Sequence, residues 1–278
     1  MILVTGATGT VGSETLRLLV EQQRPVRALV RDPARTRVRG ADLVVGDFDS
    51  PGTLDAAFQD VDTVVLVSPA VPRQEIAAID GAVRAGVTHL VKVSSKASAD
   101  SPVERRRGQA AIEKHLRASG LAWTLLRSNA YQQNLLALAP AVRQTDGFAM
   151  SAADGRIGMV DARDVAAVAA RIAVAPAAHA GATYWPTGPA LISYAEVAAE
   201  LSTGLGRPIE YHRVDPVRHR ELMIGAGVPE AVATSNAQAF GLVAEGDAAW
   251  VTDDVQALTG RPPRSVHGFL VEHRSVFS

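Results

Sequence analysis

Residues 1–12 read MILVTGATGTVG and set three glycines, Gly6, Gly9 and Gly12, directly behind the apolar run Ile2-Leu3-Val4. A strand that ends in glycines at this spacing and runs into a helix is the pattern of a dinucleotide phosphate loop. Gly6 permits the tight turn, Gly9 lets the backbone approach a pyrophosphate, and Gly12 allows helix and strand to pack closely. Thr8, Thr10 and Val11 complete the loop, whose N–H groups join the positive end of the helix dipole. No Lys-Ser/Thr follows, which sets the loop apart from a mononucleotide P-loop.

The chain outward from this loop keeps the expected rhythm. Val26–Val30 reads as a second strand, Leu43–Val45 as a third, and the continuous apolar run Val61–Val67 as a fourth, covered on both faces. "HLVKVSS" (His89–Ser95) and "AWTLLRS" (Ala122–Ser128) read as strands five and six. Helices are expected over 13–22, over 74–85 with Gly86 as C-cap, and over 104–118 before Gly120. This alternation predicts an α/β fold with a doubly wound, parallel Rossmann sheet.

Beyond residue 130 the rhythm loosens. "GRIGMVDARDVAAVAARIA" reads as a strand running into a helix, with Asp161 or Asp164 as N-cap. Ser193–Glu196 is a capping box opening a helix to about Gly204, "PIEYHRV" is a strand, and Asp215-Pro216 starts another helix. Two short helices around Pro262-Pro263 close the chain. The expected division is a Rossmann domain over 1–150, with 151–186 returning to it, and a smaller, mainly helical substrate-binding part over 187–278.

Bulk properties narrow the function. Acids and bases nearly cancel, leaving a net charge of -1, so there is no electrostatic case for nucleic acid or a membrane surface as partner. The absence of cysteine excludes disulfides, thiolate metal sites and a cysteine nucleophile. The seven histidines show no metal-ligand spacing, and no Gly-x-Ser-x-Gly elbow occurs. A strand beginning at residue 2 and the lack of a long apolar helix point to the cytoplasm. The expectation is a monomer or homodimer that acts on a small molecule, with no metal.

The end of strand two chooses the dinucleotide. A ribose 2′-OH calls for a carboxylate there, a 2′-phosphate for a cation. Arg31 follows the strand directly, and Arg35 and Arg37 lie in the same loop; a guanidinium fork suits phosphate. Asp32 is the carboxylate an NAD site would use. The expected cofactor is NADP (NADPH) in preference to NAD. After strand three, Asp47 and Phe48 are placed to meet the adenine. After strand four, Ser68 and Pro69, with Ala70, stand where the nicotinamide half would run or simply end the strand.

Together, "VTGATGTVG", "VRALVRD", "GDFDSPGTL", "AIEKHLRASGLAWTLLRSNAYQQN" and "VDARDVAAVAA" resemble the NmrA-like branch of the atypical short-chain dehydrogenases/reductases. Within that branch the likeness is to NADPH-dependent quinone oxidoreductases and triphenylmethane-dye reductases. The resemblance implies a Rossmann fold, a preference for NADP, and a cleft between the large domain and the C-terminal part. It also implies an alternative to catalysis, because the branch includes NADP(H)-binding redox sensors that regulate without turnover.

The expected proton donor is missing. None of Tyr131, Tyr184, Tyr194 and Tyr211 has a lysine four residues on, so the superfamily's Tyr-x-x-x-Lys pair is absent. The branch often carries His or Lys four residues before the position of Glu113; here that residue is Gln109. Hydride addition to a simple ketone yields a basic alkoxide that needs an acid. A quinone yields a phenolate-like anion, and an iminium or cationic dye yields a neutral product. An electron-poor conjugated acceptor is therefore expected. Candidates lining the site are Ser95, Gln109, Tyr131 and Asn134, with Ser94, Lys96 and Gln132 beside them. Arg105-Arg106-Arg107 is either a solvated helix start or a site for a phosphate-bearing substrate.

Overall fold

The computed structural model describes residues 1–35 and 39–278; Arg37 lies outside the described residues. The first half runs β1 (Ile2–Val4), α1 (Thr10–Glu21), β2 (Val26–Val30), β3 (Asp42–Val45), α2 (Leu54–Phe58), β4 (Thr63–Leu66), α3 (Pro72–Arg84), β5 (His89–Ser95), α4 (Glu104–Ala118) and β6 (Ala122–Ser128). Then come α5 (Ala139–Thr145), β7 (Gly147–Met150), β8 (Arg156–Ile157), α6 (Ala162–Val174), β9 (Thr183–Tyr184) and β10 (Ile192–Ser193). The chain ends with α7 (Tyr194–Leu205), β11 (Glu210–Arg213), α8 (Pro216–Gly225), α9 (Glu230–Ala244), α10 (Asp254–Thr259), α11 (Val266–Glu272) and α12 (Arg274–Phe277).

Seven strands form one sheet in the order β3-β2-β1-β4-β5-β6-β9, and every pairing in it is parallel. Alternate residues of each strand feed two separate cores, as a pleated strand requires. Val4, Val65, Val91 and Leu126 join one core with residues of α1 and α6. Leu3, Val64, Leu66, Leu90 and Leu125 join the other with residues of α2, α3 and α4. A doubly wound Rossmann sheet results, as the sequence predicts. On α6 the buried alanines Ala166, Ala169, Ala170 and Ala173 carry little side-chain bulk, which lets the helix lie close against the sheet and α1.

Several boundaries move for local reasons. Gly9, in an extended conformation, is the N-cap of α1, so the helix begins at Thr10 and not Ser13. Pro72 opens α3, where its missing N–H costs nothing. Asp161, whose carboxylate accepts from Arg163 N at 2.8 Å, is the cap of α6. Asp164 instead accepts from Arg264 N at 2.7 Å, tying α6 to the C-terminal segment. The Ser193–Glu196 capping box is present in full.

A third core gathers Leu135, Val142, Phe148, Met150 and Met159 with Tyr194, Val197, Leu201, Phe269 and Phe277. The stretch 135–159 thus packs with the C-terminal helices, and β7 pairs with β11 in parallel. α5, β7 and α9 are further elements that periodicity does not announce. Among the described residues no helix is long and apolar enough to cross a membrane.

Candidate active site

In a parallel sheet all carboxyl ends share one edge, and ligands of open α/β folds bind in the crevice outside it. That edge collects the loops after β1, β2, β3, β4, β5 and β6, and with them the candidate residues from the glycine loop to Asn134 except Gln109, which lies within α4.

The glycine loop is shaped by close backbone approach. Gly6 has φ +57°, and a Cβ there would lie 2.6 Å from Val67 O. A Cβ on Gly12 would run into the carbonyls of Gly6 and Thr5. Thr5 locks the turn to β4: its hydroxyl donates to Val67 O and accepts from Val67 N, both at 2.8 Å. Gly9 differs, since a Cβ on it meets only Gly6 O, at 3.3 Å. Its bareness faces outward, and Thr8, Gly9 and Thr10 are all exposed. No side chain caps α1, no acid sits in its first turn, and the first helical bond is Ser13 N to Gly9 O at 2.9 Å. The N–H groups of Thr10, Val11 and Gly12 precede that bond and suit a bound phosphate. The loop fits a dinucleotide pyrophosphate.

At the end of β2 both Arg31 and Asp32 are exposed. One Asp32 oxygen accepts from Ala34 N at 2.9 Å, holding the turn Pro33–Arg35. Asp49 accepts from Gln74 at 2.8 Å and pairs with Arg73; these bonds, with Arg31 adding attraction, keep its pKa below the usual carboxylate value. The rim is therefore rich in guanidinium, and the nearest carboxylates have work of their own. Asp47 is half-buried, accepts from Asp49 N at 3.0 Å, and its own N–H donates to Thr53 Oγ1 at 2.9 Å. Phe48 packs one side against the core that holds Leu29 and Leu54.

After β4, Ser68 donates to Glu75 Oε1 at 2.6 Å and accepts from Ala70 N at 3.0 Å, while Pro69 is exposed. Ala70 adopts φ +63°, so this bond steadies a conformation that an L-residue resists. Glu75 is itself fully buried and pairs with Lys92, also fully buried, on β5. Sequence reasoning missed this triad. The signal was present: a lysine in the middle of a strand covered on both faces needs a buried counter-charge.

A second buried network lies two residues further along β5. Ser94 donates to Glu113 Oε1 at 2.7 Å, with Gln109 Oε1 3.1 Å from the same hydroxyl. Arg127 grips Glu113 through both carboxylate oxygens and lies over the Trp185 ring, 5.1 Å from its centre. Gln109 is thus an interior partner of Ser94 and not a group projecting over the sheet edge. Ser95 stands opposite Ser128 in register. Ser128 lies 3.2 Å from both Ser94 O and the Tyr131 hydroxyl. The Ser128 hydroxyl donates toward both oxygens. Burial raises the Tyr131 pKa and the Ser128 contact only partly offsets it, so Tyr131 is a neutral phenol. Its ring packs on the core that contains Ala7 and Val11, beside the glycine loop. Asn134 is exposed. Gln132 is buried, donating to Met159 O at 3.2 Å and Arg264 O at 2.9 Å, and so acts as a structural pin.

The C-terminal part is clamped to this edge. Asp247 accepts from Lys96 at 2.6 Å and pairs with Arg106 at 2.6 Å; burial would raise its pKa, but the two cations outweigh it and hold it low. Asn129 donates to Ala248 O at 3.0 Å, and Trp185 N to Asp254 at 2.6 Å. Lys96 and Arg106 are thereby committed to the segment that follows α9. Among the described residues no cluster of His, Asp and Glu is arranged to hold a metal.

Residues 1–269 match the model of the NmrA-like family. The chain belongs to that family. It is 40% identical over 284 residues to the NAD(P)H azoreductase of Xenophilus azovorans, covering 100% of this chain and 99% of the relative. It is 38% identical to the (4-alkanoyl-5-oxo-2,5-dihydrofuran-3-yl)methyl phosphate reductase of Streptomyces griseus, over 100% of this chain and 99% of that one. Among solved structures, the NADPH-dependent quinone oxidoreductase of Escherichia coli complexed with NADPH superimposes with a TM-score of 0.90. That likeness has 28% sequence identity and covers 98% of this chain and 99% of the other.

Proposed function

We propose that this NmrA-like protein is an oxidoreductase of the atypical short-chain dehydrogenase/reductase type that uses NADPH to reduce an electron-poor conjugated acceptor: a quinone, an azo or cationic dye, or an imine. The observation that carries the cofactor reading is the exposed, uncapped and acid-free start of α1 joined to Arg31 at the end of β2. The azoreductase, quinone oxidoreductase and phosphate-ester reductase relatives support the acceptor class. The proposed place of action is the cytoplasm.

When bound, NADPH supplies a hydride from its nicotinamide. The chain's own residues then have limited tasks. The N–H groups at Thr10, Val11 and Gly12 hold the pyrophosphate, and Arg31 pairs with the 2′-phosphate. Asp47 and Phe48 bound the adenine side. Ser68 and Pro69 bound the nicotinamide side, with Ser68 fixed by Glu75. Tyr131 walls the acceptor side as a neutral phenol, with Ser95 and Asn134 beside it. The substrate-facing part is best drawn as 131–159 together with 187–278, since these stretches share a core.

Glu113 is spent on an ion pair with Arg127, and burial raises the Tyr131 pKa. Positioning then accounts for the rate, and acceptors whose reduced form tolerates delayed protonation are favoured. NADPH oxidation measured against quinones, azo dyes and cationic dyes tests the reading; no acceptor above background refutes it. The second reading, a non-catalytic NADP(H) sensor, is favoured by the burial of Gln109 where the branch often carries His or Lys. A sensor would bind NADPH and NADP⁺ with different affinity and turn nothing over.

A further inference from the structure

The three arginines that open α4 have three different fates. Arg106 is spent on Asp247. The Arg107 guanidinium donates to the carbonyls of Ser101 and Pro102 at 2.6 and 2.8 Å. Arg105 is exposed and has no hydrogen-bond or ion-pair partner among the described residues.

Its position follows from helix geometry. Arg105 lies four residues before Gln109, so both share one face of α4. Gln109 touches Ser94, the penultimate residue of β5, so the turn of α4 before it lies beyond the sheet edge. α4 runs back antiparallel to β5, so Arg105 sits about 5–6 Å further out along the same face, and its Cβ leans toward the helix start. The next turn locates its surroundings: a Cβ on Gly108 would lie 3.1 Å from Pro72 and 3.9 Å from Ala70 O, in the loop that follows Ser68 and Pro69. Arg105 therefore overlooks the place where nicotinamide and acceptor are proposed to meet.

The local charge is unbalanced. Lys96 and Arg106 share Asp247, which leaves Arg105 and Arg107 beside one first-turn acid, Glu104, at the positive end of α4. Desolvation by the surrounding protein, with Arg106 adding repulsion, holds the Arg105 pKa below the usual arginine value.

We propose that Arg105 is a specificity-determining residue that anchors an anionic substituent, such as a sulfonate, carboxylate or phosphate, on the acceptor. This rests on the reductase reading above and narrows it to acceptors that carry a negative group away from the reducible bond. A guanidinium without a partner, beside cations that are engaged elsewhere, selects for charge without touching the reacting atoms.

The test compares 1,4-naphthoquinone-2-sulfonate with unsubstituted 1,4-naphthoquinone in the wild type and in Arg105→Gln, Arg105→Lys and Arg107→Gln. Arg105→Gln is expected to raise KM for the sulfonate about tenfold with kcat nearly unchanged, and to leave the neutral quinone unaffected. Arg105→Lys retains part of the effect, Arg107→Gln matches wild type, and 0.5 M salt shrinks the difference. An equal change for both quinones, or none for the sulfonate, overturns the proposal. Binding of 2-naphthalenesulfonate and 2-naphthyl phosphate to the NADP⁺-loaded protein, by calorimetry, keeps the two readings apart. If no quinone is turned over, the reductase reading fails, while equal binding to wild type and Arg105→Gln still refutes the anchor. A larger loss for the phosphate identifies the dianion as the preferred group.

Discussion

Replacing Arg31 by alanine removes the cation that stands where β2 delivers the chain to the proposed ribose end of the cofactor site. The side chain is exposed, so its attraction to a phosphate is weakened by water. Two unit charges about 4 Å apart are worth about 1 kcal/mol at the dielectric of water and several times that at a protein surface. A 2′-phosphate carries about 1.5 to 2 negative charges, so the loss for NADPH is about 1.5–3 kcal/mol, or roughly 10- to 150-fold in Kd. NADH has no phosphate at this point and is expected to lose less than about twofold. Titration of both nucleotides by fluorescence or calorimetry reads the difference directly. Raising salt from 0.05 to 0.5 M should weaken NADPH binding in the wild type more than in Arg31→Ala. Asp32→Asn sharpens the comparison: the amide oxygen still accepts from Ala34 N, while the negative charge beside the phosphate is gone. NADPH binding should then tighten. Equal losses of NADH and NADPH in Arg31→Ala would show that the ribose hydroxyls and Asp32 govern this end, and would refute the argument from charge.

Gly9→Ala and Gly12→Ala should separate ligand approach from chain packing. Gly12→Ala drives a methyl into two backbone carbonyls and should cost about 1–3 kcal/mol in denaturant melts; Gly9→Ala should leave stability nearly intact and weaken NADPH, and the reverse pattern would reject the loop assignment. Lys92→Met strands the Glu75 charge in the interior and should cost about 3–5 kcal/mol. The double variant Lys92→Met/Glu75→Leu should recover most of that, and equal losses in the single and double variants would mean the two do not act as a pair. Stability should also fall in mild acid. Burial lowers the pKa of His219 and, with neighbouring positive groups, of His89 and His179. Both states are neutral above about pH 6.5, and below it the unfolded chain takes up protons that the folded chain refuses. The contribution is present above pH 6.5 and drains away as pH falls toward the folded pKa values; unfolding midpoints measured from pH 8 to 5 check this, and a slope unchanged in His219→Gln would exclude that residue as a source. In the fold His219 Nδ1 accepts from Ser151 N at 3.3 Å, which a protonated ring cannot do.

Much of the fold is legible in the chain because its signals are local. The glycine spacing, the boundaries of β5, α4 and β6, and the capping box at Ser193 depend on backbone sterics and on hydrogen bonds a few residues long. α9 is harder to see: its fifteen residues bury only Ala233, Ala237 and Val243, so little apolar periodicity marks it. α5 and β7 are short and depend on partners from the far end of the chain, notably β11. Gln109, a candidate for lining the site through the family resemblance, is buried where Ser94, Glu113 and Arg127 meet, and those three come from different elements. Lys96 and Arg106 read as loop and helix-start cations until Asp247, far along the chain, closes on both.

By itself the sequence determined the glycine turn, the helix start behind it and the cation at the end of β2 from which the proposed dinucleotide site is built, because these act over a few bonds. It also determined what the reaction lacks, since no arrangement in space restores an absent Tyr-x-x-x-Lys. Only the tertiary structure decided which polar groups are available. Burial turns Lys92, Glu75, Ser94, Glu113 and Arg127 into paired interior groups, because an unpaired charge there would be too costly to keep. Asp247 and the carbonyls of Ser101 and Pro102 engage Arg106 and Arg107 and leave Arg105 without a partner among the described residues, a distinction that three identical letters in a row cannot carry.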